Sequence, residues 1–191
     1  MLELPLSAAW RQQGVQQGFE VLFPSTEGDF LRFDGHSTGV EEGQAWGIRY
    51  SILLDSGWHA RSARVVSRSV MGTRELQLER DAASGWLVNG APAPHVDGCP
   101  DVDLEASAFT NAFPVRRLGL APGESGAAPA LYVRAPDLRV ERLEQTYRRI
   151  EDDGPHSRYE YTSHDSGFEA LLVFDEYGFA LDYPGIAVRV L

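Results

Sequence analysis

Trp46, Ile48, Tyr50, Ile52 and Leu54 recur at every second position, with Gly47, Arg49, Ser51 and Asp55 on the opposite parity. A helix cannot put such a row on one face, whereas a strand must, because successive side chains point to opposite sides of a sheet. This stretch therefore predicts a long half-buried strand that crosses the whole sheet. Its neighbours repeat the pattern in shorter form. Phe19, Val21 and Phe23 alternate, Phe30 to Phe33 is a second short strand bounded by Glu27-Gly28-Asp29 and Asp34-Gly35, and Leu76 and Leu78 share a face within Arg74 to Arg80. Turn signals such as Asp55-Ser56-Gly57, Met71-Gly72-Thr73 and Asp152-Asp153-Gly154-Pro155 separate these runs.

Arg61 to Val70, Gly85 to Val88, Pro114 to Leu120 and Ala130 to Arg134 also read as strands. Asn89-Gly90 suits a tight hairpin turn, yet Pro92 and Pro94 cannot sit in a central strand, so Gly90 to Pro100 reads as a loop. Asp137 to Glu151 is even between helix and strand. Leu143, Tyr147 and Ile150 have helical spacing and Asp137 can cap a helix, while Leu138 and Val140 alternate. Tyr159 and Tyr161 share one face of the next strand. Phe168 to Phe174 is apolar on both faces and, with Phe179 to Tyr183, makes a hairpin that calls for cover on each side. Many short strands with regular turns predict an all-β barrel, roll or sandwich, and a length of 191 residues favours one domain over 1–191.

The charge excludes some functions. A net charge of -11 argues against a nucleic-acid partner and against a face held to anionic lipid. All 17 positive residues are arginine, so neither a Schiff-base lysine nor a P-loop lysine exists. Cys99 is the lone cysteine, which excludes an intrachain disulfide and a Cys-rich zinc site. The five histidines are scattered, and no G-x-S-x-G elbow or glycine-rich phosphate loop occurs. No catalytic residue, metal site or cofactor is expected. No stretch approaches a spanning helix. The N-terminus lacks a charged n-region and apolar h-region, which gives a cytoplasmic expectation.

Committed polar types concentrate between Gly98 and Leu120. Asp101 and Asp103 share parity in an extended chain, and two close carboxylates can serve as acid and base, although Gly98 and Pro100 interrupt any longer ligand row. The bland alternative is that they cap backbone amides or accept from an arginine. Arg116 and Arg117 face opposite ways if the run is a strand, so at most one lines a cavity. An internal salt bridge and an anion site are equally supported for that arginine. Trp58 beside Arg61 pairs an aromatic with a cation, which suits a sugar but also suits a core tryptophan with a surface arginine. Tyr147, Tyr159, Tyr161 and Tyr183 concentrate late in the chain; rings with polar tips fit an amphiphilic ligand or ordinary cross-strand packing.

These residues carry a resemblance. Gly98-Cys99 with Asp101-Val102-Asp103, then Phe109-Thr110-Asn111 and Pro114-Val115-Arg116-Arg117-Leu118, follow the pattern of the bacterial glycolipid-binding family long carried as a domain of unknown function. Gln145-Thr146-Tyr147, Arg158-Tyr159-Glu160-Tyr161, Asp182-Tyr183-Pro184-Gly185 and Trp58 with Arg61 fit it too. The chain departs from it at His59-Ala60 and Ala112-Phe113. The resemblance implies a single curled antiparallel sheet, a spiral β-roll or incomplete barrel similar to periplasmic lipoprotein carriers. It tips Asp137 to Glu151 towards strand and implies an amphiphilic, glycolipid-like ligand without established catalytic residues. The expected binding set is Trp58, Arg61, Asp101, Asp103, Asn111, Arg116, Arg117, Tyr147, Tyr159, Tyr161 and Tyr183. The alternatives are an enzyme of glycolipid or acyl metabolism using Asp101 or Asp103, and an interaction module using sheet edges.

Overall fold

The structure, a computed structural model, describes residues 4–14, 17–82 and 85–191. The strands in chain order are β1 (Ala8–Gln12), β2 (Phe19–Glu27), β3 (Phe30–Glu41), β4 (Gln44–Leu54), β5 (Ala60–Ser69), β6 (Gly72–Asp81), β7 (Gly85–Val88) and β8 (Ala91–Pro92). Then come β9 (Asp101–Leu104), helix α1 (Ala112–Leu118), β10 (Ser125–Ala127), β11 (Ala130–Val133) and β12 (Val140–Leu143). The chain ends with β13 (Gln145–Asp153), β14 (His156–Ser163), β15 (Phe168–Phe174), β16 (Ala180–Tyr183) and β17 (Ala187–Arg189).

Among the described residues one antiparallel sheet runs β10-β13-β14-β15-β16-β17-β1-β2-β3-β4-β5-β6-β7-β8. Two meanders are thus joined where the first strand pairs with the last, Trp10 opposite Arg189. The sheet is curved and does not close into a barrel, since β10 and β8 do not pair. The fold is the all-β, curled single sheet expected from the sequence. Sheet edges invite pairing with other chains, and both edges here are short. β8 ends on Pro92, which an edge tolerates because a proline there forfeits no inner hydrogen bond.

Between β8 and β13 the chain, apart from β10, leaves the large sheet and fills its concave side. It builds a small sheet ordered β12-β11-β9, with β11 parallel to β9 and antiparallel to β12. It also supplies two buried phenylalanines, Phe109 from a 3-10 turn and Phe113 from α1. Phe109 lies 4.7 Å from Phe33, 5.0 Å from Phe179 and 6.2 Å from Trp10, ring centre to ring centre, so one side chain ties both meanders together. Rings at such spacings add favourable edge contacts to the burial of their area.

Four expectations change. Pro114 to Leu120 is not a strand. Pro114 to Leu118 lies in α1, which Gly119 caps in the left-handed region at φ 55°, and Leu120 follows the helix. Pro114 falls in the first helical turn, where its missing N–H has no partner to lose. Arg116 and Arg117 are therefore about 100° apart around a helix and not on opposite faces of a sheet. In β2 the inward residues are Glu20 and Leu22, both fully buried, while Phe19 and Phe23 are exposed. The loop read from Gly90 to Pro100 contains β8 and a 3-10 turn at Pro94–Val96, so Asn89-Gly90 does turn a hairpin, with Val88 opposite Ala91. The outer face of β15 is open, because Leu171 stays exposed. Asp137 to Glu151 gives β12 and β13; the Asp137 carboxylate accepts from the Arg139 amide at 3.1 Å and caps a turn.

The long β4 alternation is buried on its predicted face. Tyr50 lies flat across Gly35 of β3, where an added Cβ would fall 2.1 Å from the ring. Gly35→Ala should therefore destabilise the protein by about 1–3 kcal/mol, the usual range for overpacking, read as a lowered urea midpoint.

Candidate functional site

A cleft of about 860 Å³ opens on the concave side between the inserted segment and β14–β17. That volume lies in the range of about 300–1,000 Å³ common to small-molecule sites. One wall is aromatic: Tyr161 from β14, Phe168 from β15 and Tyr183 from β16 form a triangle with ring centres 6.1–6.2 Å apart. Burial pushes the Tyr161 and Tyr183 phenols above their ordinary pKa, so both stay neutral. Leu104, Leu143 and Ile186 add apolar surface.

The opposite wall is polar. Asp103, half-buried, accepts from the Thr110 hydroxyl at 2.6 Å. The Thr110 oxygen accepts in turn from the Leu104 amide at 3.3 Å. Burial lifts the Asp103 carboxyl to about 6, opposed by the Thr110 hydrogen bond and reinforced by the Asp101 and Glu105 charges. Asn111 donates to the Ala108 carbonyl at 3.3 Å and accepts from the Tyr147 hydroxyl at 2.7 Å. Gln12 donates from Nε2 to Ser37 Oγ at 2.7 Å and to the Ala106 carbonyl at 3.0 Å. That carbonyl only accepts, which fixes the amide orientation and leaves Oε1 without a partner.

The wall at Ala106 to Ala108 is held from behind by Glu20. This carboxylate accepts from the Tyr50 hydroxyl at 2.6 Å, the Ala108 amide at 2.8 Å and the Ser107 hydroxyl. Burial pushes Glu20 up to about 7, and the three donors only partly offset that.

Of the residues expected from the sequence, Asp103, Asn111, Tyr161 and Tyr183 line this cleft. The others lie elsewhere. Asp101 and Arg117 form a two-toothed buried bridge, Nε to Oδ1 at 3.0 Å and Nη2 to Oδ2 at 2.6 Å. Trp58 is a core residue against Phe33 at 5.7 Å, and the Arg116 guanidinium sits over it at 5.3 Å. Arg61 pairs with Asp55 at 2.8 Å, with its side chain 48% exposed. Tyr147 is buried behind Asn111, and Tyr159 packs edge-on against Phe174 at 5.5 Å. Of the two aspartates, then, one borders the cleft and the other is committed to an arginine. Gln12, Tyr132 and Phe168 border the cleft without any motif to mark them; only the pairing of β1 with β17 brings Gln12 there. Among the described residues, no group of three or more His, Cys, Asp or Glu side chains is placed to hold a metal ion. Among the same described residues, no helix is long and apolar enough to cross a membrane.

These features define an all-β protein built on one large curved, unclosed sheet, with a ligand-sized cleft on its concave side. The chain belongs to the family described as "Putative glycolipid-binding", whose model matches residues 7–189. It is also similar to a DUF1089 family protein from Pseudomonas aeruginosa, known from a crystal structure at 1.80 Å, with 34% identity and a TM-score of 0.78. That likeness covers 100% of this chain and 98% of the other. No curated protein matches.

Proposed function

We propose that the concave cleft binds a glycolipid-like amphiphile without transforming it. The supporting observation is the cleft itself, with an aromatic and apolar wall facing hydroxyl, amide and carboxylate groups. Phe168, Ile186 and Leu143 cover the first methylenes of a chain, and Asp103, Asn111, Tyr161 and Tyr183 meet the polar head. An acid–base pair made of Asp101 and Asp103 has less support, because Arg117 occupies both Asp101 oxygens.

Lipid extraction and mass spectrometry of the purified protein should reveal an amphiphile, and alkyl glycosides should titrate the protein by calorimetry. Phe168→Glu removes one corner of the aromatic triangle at a side chain that is already 36% exposed. It should weaken alkyl glycoside binding at least tenfold while leaving the thermal midpoint within a few degrees. Equal affinity in the variant would move the ligand away from this cleft.

A further inference from the structure

We propose that this cleft selects an uncharged, hydroxyl-rich head group and turns away phosphate- or sulfate-bearing ones. The inference rests on the binding role proposed above and adds the charge class of the ligand.

The cleft is bordered by five carboxylates, Glu41, Asp103, Glu105, Glu141 and Asp165, against two arginines, Arg134 and Arg142. Neither arginine is free. Arg134 spans Glu105 at 2.9 Å and Glu141 at 3.0 Å, and its guanidinium lies 5.0 Å over the Tyr132 ring. Arg142 holds Glu144 at 2.5 Å and the Asp97 carbonyl at 2.8 Å. An anionic head would have to displace an existing carboxylate from one of these cations and then sit beside the remaining ones. Like charges brought together with partial loss of water are unfavourable, and a phosphate site built by a protein normally shows an uncommitted arginine or a row of backbone amides.

Donors are a different matter. A carboxylate only accepts, and the two Asp103 oxygens receive one side-chain donor, Thr110. Gln12, 8% exposed on the same cleft, has an Oε1 that is buried without a donor, so a hydroxyl from the cleft meets it only when the amide side chain turns outward. Sugar hydroxyls supply O–H donors in several directions, and a pyranose ring suits the Tyr161 and Tyr183 part of the aromatic wall, next to the chain's first methylenes at Phe168. A quaternary ammonium would supply none of those donors, and the Tyr132 face that it would use is already covered by Arg134.

The test uses the full chain and three amphiphiles with the same dodecyl tail, each below its micelle concentration: dodecyl maltoside, dodecyl phosphate and dodecyltrimethylammonium. Calorimetric titration at pH 8 should show the maltoside binding and the other two at least tenfold weaker. Glu141→Gln, which releases one arm of Arg134, should narrow the gap between phosphate and maltoside at least threefold. Phosphate binding as tight as maltoside overturns the charge selection and leaves the amphiphile reading intact. Tighter trimethylammonium binding overturns the choice of a hydroxyl head. Failure of all three to bind removes the amphiphile reading and this inference with it.

Discussion

Stability should fall as pH rises from 5.5 to 8, and Glu20→Gln should remove most of that fall. The buried Glu20 carboxyl is raised from 4.5 to about 7. Between those values the unfolded chain has released its proton and the native protein still holds it. The native state therefore binds more protons, and stability declines with rising pH. The shift corresponds to about 3 kcal/mol in all, present below pH 4.5 and lost by passage through pH 7; about 2 kcal/mol of it falls between pH 5.5 and 8. Asp103, Asp101 and Asp175 are raised as well, each with burial as the largest cause, so they tilt the curve the same way. Asp55, lowered in spite of its burial by donors and charge from His59, acts in the opposite sense only in acid, below its unfolded value of 3.8, and adds no slope between pH 5.5 and 8.

Glutamine keeps the local geometry. Its carbonyl accepts from the Ala108 amide, and its amide donates to the Tyr50 and Ser107 hydroxyls, which rotate to accept. Urea denaturation at pH 5.5 and 8 measures the difference. A Glu20→Gln profile parallel to the parent would assign the slope to the other acids. Glu20→Ala should cost about 3–5 kcal/mol at either pH, because it opens a cavity and strands two buried hydroxyls and a buried amide.

Glu20 also shows where the sequence stops being legible. The β4 row from Trp46 to Leu54 could be read because each inward residue is apolar and the alternation is long. In β2 the same rule selects the wrong face, since Phe19, Val21 and Phe23 outnumber Leu22. What turns that strand over is a polar network whose members are remote in sequence: Tyr50, reaching across Gly35, and Ser107. Neither partner can be found from a window around β2. The misreading of α1 has a related cause. Phe113 and Val115 alternate as a strand would, and seven residues are too few for a helical period to show. The spacing of Phe109 and Phe113, four apart, was the usable signal, and both rings enter the same core. Of the tyrosines clustered near the C-terminus, Tyr161 and Tyr183 border the cleft, while Tyr147 and Tyr159 do not. The facing wall comes from the inserted segment, with Gln12 added by the pairing of β17 with β1, a contact that no local pattern encodes.

The bridge between Asp101 and Arg117 carries the other large expected effect. Arg117→Ala should destabilise the protein by about 3–5 kcal/mol, because it leaves a carboxylate that is 1% exposed without its partner. Burial already raises Asp101 in spite of the pair, so removal of the guanidinium drives the carboxyl to take up a proton. Protonation relieves part of the cost in acid and less of it as pH rises. The loss should therefore be larger at pH 8 than at pH 5.5. The bridge ties α1 to β9, so the same change loosens Phe113 in the aromatic core and Arg116 over Trp58. Replacing both partners, Asp101→Asn with Arg117→Met, removes the buried charge along with its partner. That variant should recover most of the loss and show no extra slope with pH. The exposed pair Arg148 and Glu160 serves as the control, since Arg148→Ala should leave the urea midpoint unchanged within error. Equal small losses at Arg117 and Arg148 would mean that water reaches Asp101 and that the bridge is no more than a surface pair. A large, pH-dependent loss confined to Arg117 assigns the central aspartate and arginine to holding the roll together and leaves ligand contact to Asp103 and the residues across the cleft from it.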